Sequence, residues 1–107
     1  MAIRELDDVE FKSTLTRSMR KLAIGDIPPV RLDLRDDVAA AVAAKNISLP
    51  PAELTIAHVY VSDGDKHTHV SFYFGRPNTY LVIIVDNIAA RVLGFHLLDI
   101  GKLYGLD

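Results

Sequence analysis

ELTIAHVYVSDGDKHTHVSFYFG, residues 53 to 75, is the stretch whose reading decides the fold. Strand side chains alternate between the two sides of a sheet, so a chain folded back about Gly64-Asp65 sorts this stretch into two faces. One face carries His58, Tyr60, Ser62, His67, His69, Ser71 and Tyr73, and the other Ala57, Val59, Val61, Thr68, Val70, Phe72 and Phe74. The turn places Tyr60 opposite His69 and His58 opposite Ser71. Three of the four histidines thus share the polar face of one hairpin.

Beyond this hairpin the strand character continues. Gly75 to Asn78 has the composition of a turn, and Thr79 to Val85 is apolar at both parities, the pattern of an interior strand. Asp86-Asn87 opens another turn, and Ala90 to Leu98 returns as a fourth strand. Asp99 to Leu106 is expected to form a last helical turn.

The N-terminal half reads as helical. Asp7 and Glu10 have capping-box spacing, and Phe11, Leu15, Met19 and Leu22 recur at helical intervals up to Gly25, predicting one amphipathic helix over about Asp8 to Ile24. Pro28-Pro29 breaks the chain, and Val30 to Leu34 is expected to be extended. Asp36-Asp37 precedes an alanine-rich run from Val38 to Lys45, with Asn46 placed to stop a second helix. Asn46 to Ala52 is a connector.

Neither half is long enough to bury a core alone, so 107 residues predict a single α+β domain. The expected architecture is two N-terminal helices packed on one face of a curved four-stranded antiparallel meander. Helices on one face leave the other face of the two apolar strands bare. A second copy of the chain is the expected cover, which makes a homodimer, or binding of another protein, the leading expectation for partners.

The composition narrows the chemistry. With 50% hydrophobic residues and a net charge of −2, the chain is neither a disordered segment nor a polyanion binder, and nucleic acid is not expected. Arg17, Arg20 and Lys21 cluster modestly, but cations there complement the end of the expected helix. The absence of cysteine excludes disulfides, thiolate metal sites and cysteine nucleophiles. The N-terminal segment MAIRELDD has no apolar leader, and the longest apolar run, Tyr80 to Val85, is too short to span a bilayer. A cytoplasmic protein without membrane association is therefore expected.

The catalytic motifs are absent: there is no nucleophile elbow, phosphate loop or dinucleotide fingerprint, and no catalytic residue is assigned. His67 and His69, two apart on a strand, leave the same face roughly 6.5 to 7 Å apart at their bases, close enough to share a divalent ion. His58, diagonal to His69, is the third candidate metal ligand. In spacing alone the pair resembles cupin-type and carbonic-anhydrase-type sites, but the glutamate that follows the cupin pair is replaced here by Phe72 to Gly75.

Two functional expectations follow. The first is an interaction module with a recognition or regulatory role, its interface centred on Tyr60, His69 and Tyr73 with His58 nearby, and no enzymatic activity or cofactor. The second is a small-ligand or metal-binding protein or enzyme that uses His58, His67 and His69 in a pocket. Helices followed by a curved antiparallel sheet resemble cystatin-like and nuclear-transport-factor-like cones, in which the sheet encloses such a pocket. His96, on the apolar fourth strand, is expected to be hydrogen-bonded in or beside the core.

Overall fold

The computed structural model describes residues 3–15, 18–23, 25–30 and 32–100. Its elements are α1 (Asp8–Ser13), β1 (Met19–Lys21), α2 (Arg35–Ala44), β2 (Thr55–Ser62), β3 (His67–Tyr73), β4 (Thr79–Asp86) and β5 (Arg91–Asp99), with 3-10 turns at Pro51–Glu53 and Asp63–Asp65. The strands form one antiparallel sheet in sequential order, giving an α+β architecture with five strands rather than the four expected. The expected C-terminal turn falls mostly outside the described residues.

The hairpin register is the one the sequence predicts. Tyr60 pairs with His69 and His58 with Ser71, and Gly64 and Asp65 both adopt positive φ at the turn. Two bulges interrupt the ladder. Ala57 is the extra residue in β2, and Leu93 is the extra residue in β5. Such insertions bend and twist a strand.

The N-terminal helix is far shorter than its apolar stripe suggests. Its start is the expected capping box: Asp7 Oδ1 accepts from the Glu10 amide at 2.8 Å, and Glu10 Oε1 accepts from the Asp7 amide at 3.3 Å. The helix ends at Ser13, with Thr14 as its cap, instead of running to Ile24. At its end the Ser13 and Thr14 hydroxyls donate to the Glu10 and Phe11 carbonyls, local bonds that compete with helix continuation. Met19, Arg20 and Lys21 then pair with Ser62, Val61 and Tyr60 as an edge strand. Exposed Arg20 and Lys21 charge this edge, which discourages pairing with another chain.

α2 forms as expected and ends in a Schellman motif. Asn46 takes φ 52°, the Ile47 amide donates to the Val42 carbonyl at 3.0 Å, and the Asn46 amide donates to that of Ala43. Ile47 is thereby turned onto the core. The expected extended stretch at Val30 to Leu34 is not a strand at its described positions; Asp33 instead caps the Arg35 amide just before α2.

The largest correction concerns the faces. α2 supplies Val38, Ala41 and Val42 to a cluster with Val70, Phe72, Leu81, Ile83, Val85 and Phe95. α1 supplies Phe11, and the segment before it Leu6, to a second cluster with Val82 and Ile84. The two helices therefore cover opposite faces of the sheet, and Leu81 to Val85 are each at most 3% exposed. The bare face that called for a second copy is closed by the chain itself.

What carries α1 to that side is the N-terminal segment. Glu5 forms a parallel bridge with Phe95, the Leu6 amide donates to the Phe95 carbonyl at 2.7 Å, and the Phe95 amide donates to the Arg4 carbonyl at 2.9 Å. Gly94 permits this approach, because a β-carbon there would fall 2.4 Å from the Arg4 carbonyl oxygen. Among the described residues no helix is long and apolar enough to cross a membrane.

Candidate functional site

The polar face of the hairpin does not meet solvent as a flat surface, because α1 and the chain after it lie over it. Between them is a recess of about 310 Å³. Phe11, Leu15 and Met19 line it from the N-terminal side, and His58, Tyr60, His69 and Ser71 from the sheet. Tyr80, Val82, Leu98 and Ile100 complete the wall. None of these side chains is an acid, lysine or arginine.

His69 is the most constrained polar group of the recess, only 3% exposed. Its Nε2 lies 2.8 Å from Thr14 Oγ1, and the same hydroxyl lies 2.7 Å from the Phe11 carbonyl oxygen. A hydroxyl has one proton to give, and a carbonyl oxygen can only accept. Thr14 therefore donates to Phe11 and accepts from His69, which assigns the ring proton to Nε2. Nδ1 is left as a bare acceptor, buried and with no hydrogen-bond partner among the described residues. Leaving such a group unpaired costs about 1–3 kcal/mol.

The electrostatics agree with a neutral ring. Burial, and secondarily the neighbouring His67, holds the His69 pKa down at about 4. At neutral pH this imidazole is a hydrogen-bonding group and a poor proton acceptor, since a base working near pH 7 needs a pKa near 7. His58 is also lowered, by burial first and by Lys21 second. It packs against Tyr80 with ring centroids 5.1 Å apart and against Tyr60 at 5.8 Å.

The candidate residues thus divide. His58, Tyr60 and His69 come together in the recess, whereas Tyr73 is 43% exposed and does not line it. His67 lies beside His69 with centroids 6.5 Å apart and pairs across the sheet with Asp86, whose carboxyl is held below its usual pKa chiefly by the Ala89 amide. Among the described residues no three His, Asp or Glu side chains are placed to hold one metal ion. His69 engages Thr14, and His58 packs between Tyr60 and Tyr80. His69, expected near the centre of an exposed interface, lies beneath α1 because that helix crosses this face.

His96 takes the structural role expected of it. Its Nδ1 bonds to the Leu6 carbonyl at 2.9 Å, its ring stacks on Phe11 at 4.2 Å, and Asp8 Oδ1 stands 3.6 Å from Nε2. Phe11 also meets His69 edge-on, at 5.9 Å. One aromatic ring thus ties α1 to both β3 and β5.

Sequence reasoning did not single out Thr14, Tyr80 or Leu98 for the site. Thr14 follows Phe11 by three and so shares its helix face, a legible signal. Tyr80 and Leu98 are paired neighbours on β4 and β5, and their side of the sheet follows once the register is known. No protein-family model matches the chain, and no curated protein or solved structure matches it.

Proposed function

We propose that this protein binds an uncharged, largely apolar small molecule in the recess beneath α1. The observation that carries the reading is the convergence of His58, Tyr60, His69 and Ser71 on a recess otherwise walled by Phe11, Leu15, Met19, Tyr80, Val82, Leu98 and Ile100. Ligand sites characteristically combine apolar walls with a few placed polar groups, and the volume falls at the small end of their usual range. Among the described wall residues none carries a formal charge, which favours a neutral ligand, because a buried ion without a partner is strongly disfavoured. The low pKa of His69 favours binding over proton transfer.

The test is a titration with naphthalene followed by amide NMR shifts. Saturable one-to-one binding with shifts concentrated at Leu15, Tyr60, Ser71 and Val82 is expected, and Leu15→Trp, which fills the recess, should abolish it while leaving the dispersed spectrum of a folded protein. Absence of saturable binding, or shifts unaffected by Leu15→Trp, contradicts the proposal.

A further inference from the structure

Resting on the ligand-binding reading, we infer that the recess recognises its ligand at one rung of the sheet, the opposed pair His58 and Ser71, and that the ligand class is a neutral, two-ring-sized apolar molecule bearing a hydroxyl group that bonds to both. Three observations lead there.

The first is the order of residues across the sheet. His58, Ser71, Val82 and His96 are successive register partners on β2, β3, β4 and β5, so they form one row on the face that α1 crosses. The far end of this row is closed: the His96 ring lies against Phe11, and its Nδ1 bonds to the Leu6 carbonyl. The neighbouring row, Tyr60, His69 and Ile84, is closed in its middle, where Thr14 and Phe11 meet the His69 ring. The polar end left uncovered is His58 with Ser71.

The second is that these two side chains are open. Among the described buried and half-buried residues, His69 Nδ1 is the one side-chain nitrogen or oxygen that is both closed to water and unpaired. Ser71 Oγ and the His58 ring nitrogens also lack a hydrogen-bond partner among the described residues, so water reaches them. Ser71 is flanked by β2 and β4, and its neighbours Val70 and Phe72 face the α2 core, so its opening leads into the recess it lines. His58 lines the same recess between Tyr60 and Tyr80. Unpaired polar atoms in such a place are where a partner from outside the chain completes the set.

The third is what the pair bonds. A serine hydroxyl donates one hydrogen bond and accepts others, and an uncharged imidazole donates at one nitrogen and accepts at the other. Burial first, and Lys21 second, lower the His58 pKa and keep the ring uncharged at neutral pH. Opposed residues stand about 4.5–5.5 Å apart at their β-carbons, so one ligand oxygen lies within reach of both. A hydroxyl accepts from one and donates to the other, whereas an ether only accepts and a carboxylate brings a charge without a partner. The recess, about 310 Å³, is roughly twice the size of a cavity of about 150 Å³ that holds benzene.

The experiment compares four probes by calorimetry at pH 7: 2-naphthol; 2-methoxynaphthalene, which has the same rings and cannot donate; naphthalene, which neither donates nor accepts; and 2-naphthoate, which is anionic. The wild-type protein should bind 2-naphthol about tenfold more tightly than 2-methoxynaphthalene, consistent with one added hydrogen bond, and 2-naphthoate weakest. The preference for 2-naphthol over naphthalene should fall at least about threefold in Ser71→Ala and again in His58→Phe, with naphthalene binding unchanged. A wild-type protein that binds 2-naphthol no better than 2-methoxynaphthalene, or 2-naphthoate best, overturns the ligand class while leaving the recess as a binding site. A preference that survives intact in either variant removes that residue from the rung and overturns the inference likewise. Failure of all four probes to bind overturns the ligand class and the proposed function together. Should His58→Phe not fold, the wild-type His58 ring nitrogen resonances give the same answer: they should move with 2-naphthol and stay with naphthalene, and equal movement with both, or none with either, overturns the inference.

Discussion

Thr14 Oγ1 lies 2.8 Å from His69 Nε2, joining the last turn of α1 to the middle of β3 across 55 residues of sequence. The hydroxyl is buried with the imidazole, so this bond forms away from water and sets both the position of the helix and the tautomer of the ring. Replacing Thr14 by Val keeps the shape and removes the acceptor. The buried Nε2–H is then unpaired, and Thr14→Val should lose about 1–3 kcal/mol in urea unfolding. Thr14→Ser should recover most of that. Equal loss in both variants would show that the methyl packing matters and the hydrogen bond does not.

Acid should weaken the fold through the same histidine. The unfolded chain takes up a proton at His69 near the ordinary pKa of 6.5, whereas the folded chain resists it until about 4. Between those values the unfolded state binds more protons, so stability falls as pH falls, by on the order of 3 kcal/mol for the full window. His58, lowered mainly by burial, acts in the same direction. Urea unfolding at pH 7, 5.5 and 4.5 should give a shallower pH dependence in His69→Phe than in the wild type. Parallel pH dependences would remove His69 from this account.

Gly94 should be intolerant of a side chain. Its β-carbon would meet the Arg4 backbone, which cannot rotate away as a side chain could, so Gly94→Ala must push the N-terminal segment off β5. A loss of about 1–3 kcal/mol is expected, as for other overpacked interiors. Hydrogen exchange should quicken first at the Leu6 and Phe95 amides, whose bonds hold that segment. Unchanged exchange at both would mean that the segment is not held by this pairing.

How much of this was legible in the sequence depends on the range of the interactions. The hairpin about Gly64-Asp65 was legible because turn chemistry and alternation agree locally, and its register followed as far as His58 and Ser71, beyond which the bulge at Ala57 shifts it by one. The interior position of β4 was legible from apolar residues at both parities. The end of α1 was not. Phe11 and Leu15 keep helical spacing, and Met19 extends the same stripe although it lies on a strand, because apolar spacing alone does not register the pairing partner that β2 provides.

The helix faces were illegible for a related reason. An amphipathic helix announces that it covers something, but which side it reaches depends on the Glu5–Phe95 bridge, a contact between opposite ends of the chain. The glycine within the apolar run of β5 was the available hint, since a glycine inside a strand often marks a close backbone approach. Of the site, the shared face of His58, Tyr60 and His69 could be read directly. The recess could not, because it exists only where α1 crosses that face.

The central claim is that His69 presents a bare Nδ1 at neutral pH, and a long-range proton–nitrogen NMR spectrum of the histidine rings measures this directly. The account predicts that His69 carries its proton on Nε2, with Nδ1 at the frequency of an unprotonated nitrogen, and that neither signal titrates between pH 8 and pH 5. A proton on Nδ1, or a titration midpoint near 6.5, would contradict it.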